Sequence, residues 1–149
     1  MKKFKFALDT VLSYKKQVLD ALRGEHAEAL AKVRAQEAQL DRVWQEYREC
    51  SAEYQQRAEE GLPITEALMY QSALRAGELE IQVETQRLEE LQAEEEKRRE
   101  AVVEAKKETS SIEKLREKKL DAYHKAEAKS EEAFIEEFVS TMRVNAANA

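Results

Sequence analysis

A chain of 149 residues that holds three Gly and one Pro can turn sharply at very few places. Tight turns draw on Gly for positive φ and on Pro for a preset bend. Here the two meet once, in Gly61–Leu62–Pro63–Ile64, directly after Glu59 and Glu60. Gly ends a helix cheaply because it accepts the left-handed conformation, and Pro cannot continue one. Thr65 is placed to cap the next helix. Gly24 and Gly77 stand alone inside periodic sequence. Each reads either as a tolerated cost of about 1 kcal/mol or, for Gly77, as a point of close approach to another helix.

The sequence on either side of that break repeats with helical spacing. Before it, Leu12, Leu19, His26, Val33, Leu40, Tyr47 and Tyr54 fall on heptad position a. Leu8, Lys15, Leu22, Ala29, Gln36, Val43 and Cys50 fall on d. Eleven of these fourteen are apolar, against 42% of the whole chain, which marks a coiled-coil seam. After the break a second seam runs through Ala67, Tyr70, Leu74, Gly77, Ile81, Glu84, Leu88, Leu91, Glu95, Arg98, Val102, Ala105, Thr109 and Ile112. Its phase slips near Leu115, and apolar positions resume at Leu120, Tyr123, Phe134, Phe138 and Met142. Charged residues make up 38% of the chain, a composition shared by long helices and disordered segments. The two seams decide for helices.

The expected fold is all-α: a two-helix antiparallel coiled-coil hairpin with unequal arms, one coiled-coil domain over residues 1–149. Helix 1 spans about 5–60, the corner 61–64, and helix 2 about 65–143, with Asn145 to Ala149 frayed. A corner this short makes the helices antiparallel, so residue i lies opposite roughly residue 125 − i: Leu40 near Thr85, Leu12 near Glu113. At about 1.5 Å per residue the arms are roughly 80 and 115 Å long, so the second overhangs the N-terminus. Phe134, Ile135, Phe138 and Val139 then lack a partner inside the hairpin. They form a binding surface, or else the end bends back or pairs in a dimer.

Charge is uneven. Glu49 to Glu96 holds thirteen Glu and three Arg, Met1 to Lys16 five Lys and one Asp, and Lys97 to Lys119 nine basic and five acidic residues. A hairpin gathers both basic stretches at the open end and the acidic one at the corner. This pattern serves recognition, or it marks solvated faces. The net charge of −6 disfavours nucleic acid as a partner.

Nothing in the pattern points to catalysis, so the expectation is a protein that is not an enzyme and has no cofactor. Two His residues and one Cys do not make a metal-ligand spacing, and three scattered Gly do not make a phosphate loop. Two packed helices offer no cavity in which a carboxylate pair could be desolvated. His26 reads as a polar seam residue that holds register, and Cys50 as a small hydrophobe. The longest apolar run, Ala67 to Tyr70, is far too short for a membrane span, and no signal peptide is expected. A single cysteine is compatible with a reducing compartment, so the cytoplasm is the expected location.

Three stretches carry a resemblance: the opening FKFALDTVLSYKKQ; QEYREC and LMYQSALRAGELEI around the corner; and SIEKLREKKLDAYHKAEAKSEEAFIEEF, with its Leu-basic-x-basic-x-Leu-x-x-Tyr step and acidic, aromatic tail. In order, spacing and total length they resemble the FliJ family, the small coiled-coil component of the bacterial flagellar type III export apparatus. The resemblance implies an antiparallel coiled coil similar to the central stalk of rotary ATPases. It implies binding to the hexameric export ATPase through the open end, contact with the membrane export gate, and handling of empty export chaperones. It also implies peripheral association with the inner face of the cell membrane at the flagellar base.

Taken with the charge pattern, the resemblance makes Lys3, Lys5, Lys15, Lys16, Lys114, Arg116, Lys118 and Lys119, with Phe134 and Phe138, the expected ATPase-binding residues. By resemblance, Gln36, Leu40, Val43, Tyr47, Tyr70 and Leu74 face the gate. Val43 departs from the pattern, since some relatives carry an aromatic there. Several of these positions also belong to the seam, where burial competes with binding. Two other functions fit a coiled coil: a structural tether, which needs an extended dimer, and a holdase chaperone, which needs an oligomeric cavity. The adaptor reading needs a monomer with a free basic end.

Overall fold

The computed structural model describes residues 2–148. Two helices make up almost all of it, α1 (Asp9–Glu60) and α2 (Ile64–Ala147), packed against each other as a hairpin. Gly61 is the only described residue of positive φ, at +99°, and it closes α1 with its N–H on the carbonyl of Ala58. The carbonyl of Pro63 accepts the first α2 hydrogen bond, from the N–H of Ala67 at 2.9 Å. The helix thus resumes at Ile64 with Pro63 as its cap residue, and Thr65, expected as the cap, lies within the first turn instead. Proline is tolerated at this place because the amide hydrogen it lacks would have had no partner inside the helix.

The chain divides into two compact units, an open-end unit of residues 1–19 and 104–149 and a hinge unit of residues 20–103. In the hinge unit the core follows the seam read from sequence. Ala29, Val33, Gln36, Val43 and Ile81 are buried, and Leu22, Leu40, Tyr54, Tyr70, Leu74, Leu88 and Leu91 half-buried. Arg98 departs from it: the residue is exposed, because its guanidinium reaches sideways to Glu25 at 2.9 Å and Glu94 at 3.0 Å. The other cross-helix pairs keep the expected register. His26 meets Glu95, Tyr47 meets Glu78, and Arg57 meets Glu66. Gln36 sits at the middle of the seam and is satisfied there, donating to the backbone carbonyl of Glu84 at 3.0 Å and to the carboxylate of the same residue. A buried amide left without such partners would cost about 1–3 kcal/mol.

In the open-end unit the core is Phe6, Leu12, Leu19, Ala105 and Thr109. The Thr109 hydroxyl returns to the carbonyl of Ala105 at 2.8 Å, which lets a polar side chain lie in the seam. Here the expected start of helix 1 near residue 5 needs correction. The chain is not helical before Asp9, and Leu8, the first expected seam residue, is exposed. The cause is the alternation Lys3-Phe4-Lys5-Phe6. An extended segment puts alternate side chains on one face. Both Phe residues therefore lie inward and both Lys outward, whereas a helix would have split the aromatic pair.

The expected fraying from Asn145 also needs correction. α2 runs through Ala147, and the N–H of Asn148 bonds the carbonyl of Val144; Ala149 lies outside the described residues. The phase slip expected near Leu115 needs correction: Leu115 is exposed because the regular spacing puts Arg116, not Leu115, on the seam. Arg116 then holds the seam spacing after Ile112, and Leu120 and Tyr123 come next as half-buried residues.

Candidate functional site

The open-end unit carries an aromatic clasp and, beyond it, a bare helix. Phe4 lies against Tyr123, ring centroids 5.5 Å apart, and the Tyr123 hydroxyl donates to the backbone carbonyl of Lys2. The Arg116 guanidinium sits 5.5 Å from the centre of the Phe4 ring and bonds Asp9 at 3.2 Å. The N-terminal segment is thereby fastened to α2 by a tilted aromatic contact, a cation–π contact and a charged hydrogen bond. Beyond His124, α2 has no helix beside it in this unit. From Glu131 to Asn148 every residue is exposed.

That bare segment is amphipathic. Phe134, Phe138 and Met142 recur every fourth residue, with Ile135 and Val139 beside them. Such spacing lines one face of a helix. Phe134 is 70% exposed and Phe138 57%, so these large rings stand in water. A groove of about 450 Å³ lies at the head of the stripe, lined by Glu127, Ser130, Glu131, Phe134 and Ile135. The end neither folds back on the hairpin nor loses its helix.

The expected basic residues fall into two groups. Lys15 pairs with Glu108 at 2.9 Å, Lys16 with Glu113 at 3.7 Å, and Arg116 with Asp9. These three join the two helices, and the Glu108 carboxylate raises the Lys15 pKa by accepting its hydrogen bond. Lys3, Lys5, Lys114, Lys118 and Lys119 are exposed, and among the described residues no carboxylate lies within 4.0 Å of them. They are the available charge of this end. Phe4 and Tyr123, which fasten the N-terminal lysines in place, were not singled out from sequence as site residues. The signal was the alternation of Phe with Lys, which a search for helical period passes over.

The six residues assigned to the gate by resemblance lie in the hinge unit, on the seam. Val43 is 2% exposed and Gln36 is buried, while Leu40, Tyr47, Tyr70 and Leu74 are half-buried. The Tyr47 hydroxyl donates to Glu78 at 3.0 Å, which holds its proton and raises its pKa. Tyr70 leans on Tyr54, centroids 5.5 Å apart, with Arg57 over its ring. Gly77 proves to be a close-approach point: a Cβ there would come within 3.0 Å of the Tyr47 ring. Next to this set, exposed Leu68, Met69, Leu79, Val83 and Trp44 offer apolar surface that the seam does not use. Trp44 holds Arg48 against its ring at 5.7 Å.

Fold and surface together define a hairpin coiled-coil protein whose longer arm ends in an exposed aromatic face. Among the described residues no helix is long and apolar enough to cross a membrane. The chain belongs to the flagellar FliJ protein family, whose model matches residues 4–148, and is thus a component of the flagellar export apparatus. No curated protein and no solved structure matches it significantly.

Proposed function

We propose that this chain is a non-enzymatic adaptor of the export apparatus. Its open end engages the export ATPase ring, and its hinge unit meets the export gate and export chaperones. It acts in the cytoplasm, at the inner face of the membrane. The observation that carries the ATPase reading is the bare α2 face of Phe134 and Phe138, on the same unit as the unpaired Lys3, Lys5, Lys114, Lys118 and Lys119. Aromatic side chains buried at an interface anchor a complex, while surrounding charge speeds encounter and fades as salt rises.

For the gate, the half-buried edges of Leu40, Tyr47, Tyr70 and Leu74 are the accessible part of the set implied by resemblance. Gln36 and Val43 would act by holding those edges in place. Leu74 is the residue to change first, because Tyr47 is bonded to Glu78 and Tyr70 is held by Tyr54 and Arg57.

Surface plasmon resonance against the purified export ATPase tests the reading. Lys114→Glu with Lys118→Glu and Lys119→Glu should slow association and flatten its salt dependence. Phe134→Ala with Phe138→Ala should raise the dissociation rate. Glu59→Lys with Glu60→Lys, beside the corner, should leave ATPase binding unchanged. Loss of ATPase binding in the corner variant, with both open-end variants intact, would assign the ATPase to the opposite end of the hairpin.

A further inference from the structure

The charge along α2 changes sign within the open-end unit. From Lys114 to Lys119 there are four basic residues and one Glu, whereas from Glu127 to Met142 there are five Glu and one Lys. The aromatic stripe lies wholly in the second stretch. Glu131 heads it, between the turns of Phe134 and Ile135. Glu132 borders it on the side of Ile135 and Val139, and Glu137 on the side of Phe134. These positions come from three- and four-residue spacing on a helix. The glutamates are exposed and have no basic partner within 4.0 Å among the described residues.

We infer that the α2 extension lays its Phe134–Phe138–Met142 face into an apolar groove, about one helix wide, whose rim is basic. Lys or Arg side chains of the partner would face Glu132 on one side and Glu137 on the other. The partner surface is then two-toned, acidic or polar where it meets Lys114–Lys119 and basic where it receives the extension. This inference rests on the ATPase reading and sharpens it by stating the chemistry of the receiving surface.

Charge argues against the other occupants. A second copy of the extension would bring glutamate rims together with little to offset them except Lys129 and Arg143, and like charges across an interface disfavour pairing. An anionic membrane surface would repel the same rims. A helix seated by spaced apolar anchors, with its flanks read by charge, is a recurrent mode of recognition.

Two probes separate the inference from the reading beneath it. The first is a fluorescent amphipathic Leu/Lys peptide of about 18 residues, long enough for a few helical turns, titrated with the full chain and followed by anisotropy. Phe134→Ala with Phe138→Ala, and separately Glu132→Lys with Glu137→Lys, should each weaken binding about tenfold or more. A Leu/Glu peptide should not bind at the extension. Alanine and lysine both keep helix propensity, so circular dichroism should match wild type. Equal binding of the Leu/Lys peptide by wild type and the Glu132/Glu137 variant overturns the inference, as does dimerisation that depends on Phe134 and Phe138.

The second probe is the export ATPase. Weakening by the Phe variant but not by the Glu variant means that the ATPase reading survives and the basic groove does not. A chain that ignores the ATPase yet shows both peptide effects loses the ATPase reading and keeps the groove.

Discussion

Gly24 and Gly77 look alike in sequence and differ in space. A Cβ on Gly24 would meet nothing within 4 Å, and one on Gly77 would press the Tyr47 ring at 3.0 Å. Gly24→Ala should therefore stabilise the hairpin by about 1 kcal/mol, the helix-propensity difference. Gly77→Ala gains the same propensity but must shift Tyr47, with its hydrogen bond to Glu78, and its net effect should be smaller or of opposite sign. Paired urea melts check this, and equal stabilisation by both would contradict the close approach.

Glu95 supplies a pH test at the same scale. It accepts hydrogen bonds from His26 at 2.8 Å and Arg99 at 3.1 Å, and its carboxyl is held below the usual range, mainly by His26. A depressed folded-state pKa contributes stability that is complete above the unfolded value of about 4.3 and is lost as pH falls through the lower folded value. The stability difference between wild type and Glu95→Gln should thus shrink as pH falls below about 4.3. A difference that stays constant through acid would show that the pair does not favour the charged carboxylate.

Elements were legible where one period governed them. The α1 seam from Leu12 to Tyr54 is buried or half-buried at every a position, because a 3.5-residue repeat admits only one inward face. Where the period changes, the reading fails. Lys3-Phe4-Lys5-Phe6 keeps a two-residue period of burial and becomes a non-helical clasp ahead of α1. Phe6 is buried and Phe4 packs against the Tyr123 ring. Phe6→Ala should destabilise by about 3–5 kcal/mol if the chain cannot collapse on the gap, and less if this short segment simply detaches. Hydrogen exchange distinguishes the two, since detachment should raise exchange at Leu12 and its neighbours while leaving the hinge unit protected. Unchanged melting and unchanged exchange would mean that the clasp contributes nothing.

At the scale of the whole molecule, the antiparallel pairing rests on distant partners in each unit. Tyr47–Glu78 and Arg57–Glu66 hold the hinge unit, and Lys15–Glu108 and Arg116–Asp9 the open end. The three exposed ion pairs among these are worth only about 0.2–1 kcal/mol each, so they set register more than stability. In a Cys50→Ser background, spin labels at Ser13→Cys and Ser111→Cys should lie within about 20 Å, since packed helix axes are about 8–10 Å apart. Light scattering should report a monomer. Labels far apart, or a stable dimer at low concentration, would replace the hairpin with an intermolecular coiled coil.

By itself the sequence determined the helices, the corner and the antiparallel register. Each depends on local facts: a heptad repeat, one cluster of helix breakers, and a loop too short for any other path. It also placed Phe134 and Phe138 beyond the end of α1, because arm length is a matter of counting. Only the tertiary structure decided which charges are available. Lys15, Lys16 and Arg116 are spent across the helix pair, while Lys3, Lys5, Lys114, Lys118 and Lys119 are not. It likewise decided that Val43 and Gln36 lie inside the seam, that Gly77 touches Tyr47, and that the N-terminus is a clasp. The physical reason is the same in each case. A helical repeat states which face a residue occupies. What meets that face depends on side chains from thirty to more than a hundred positions away along the chain.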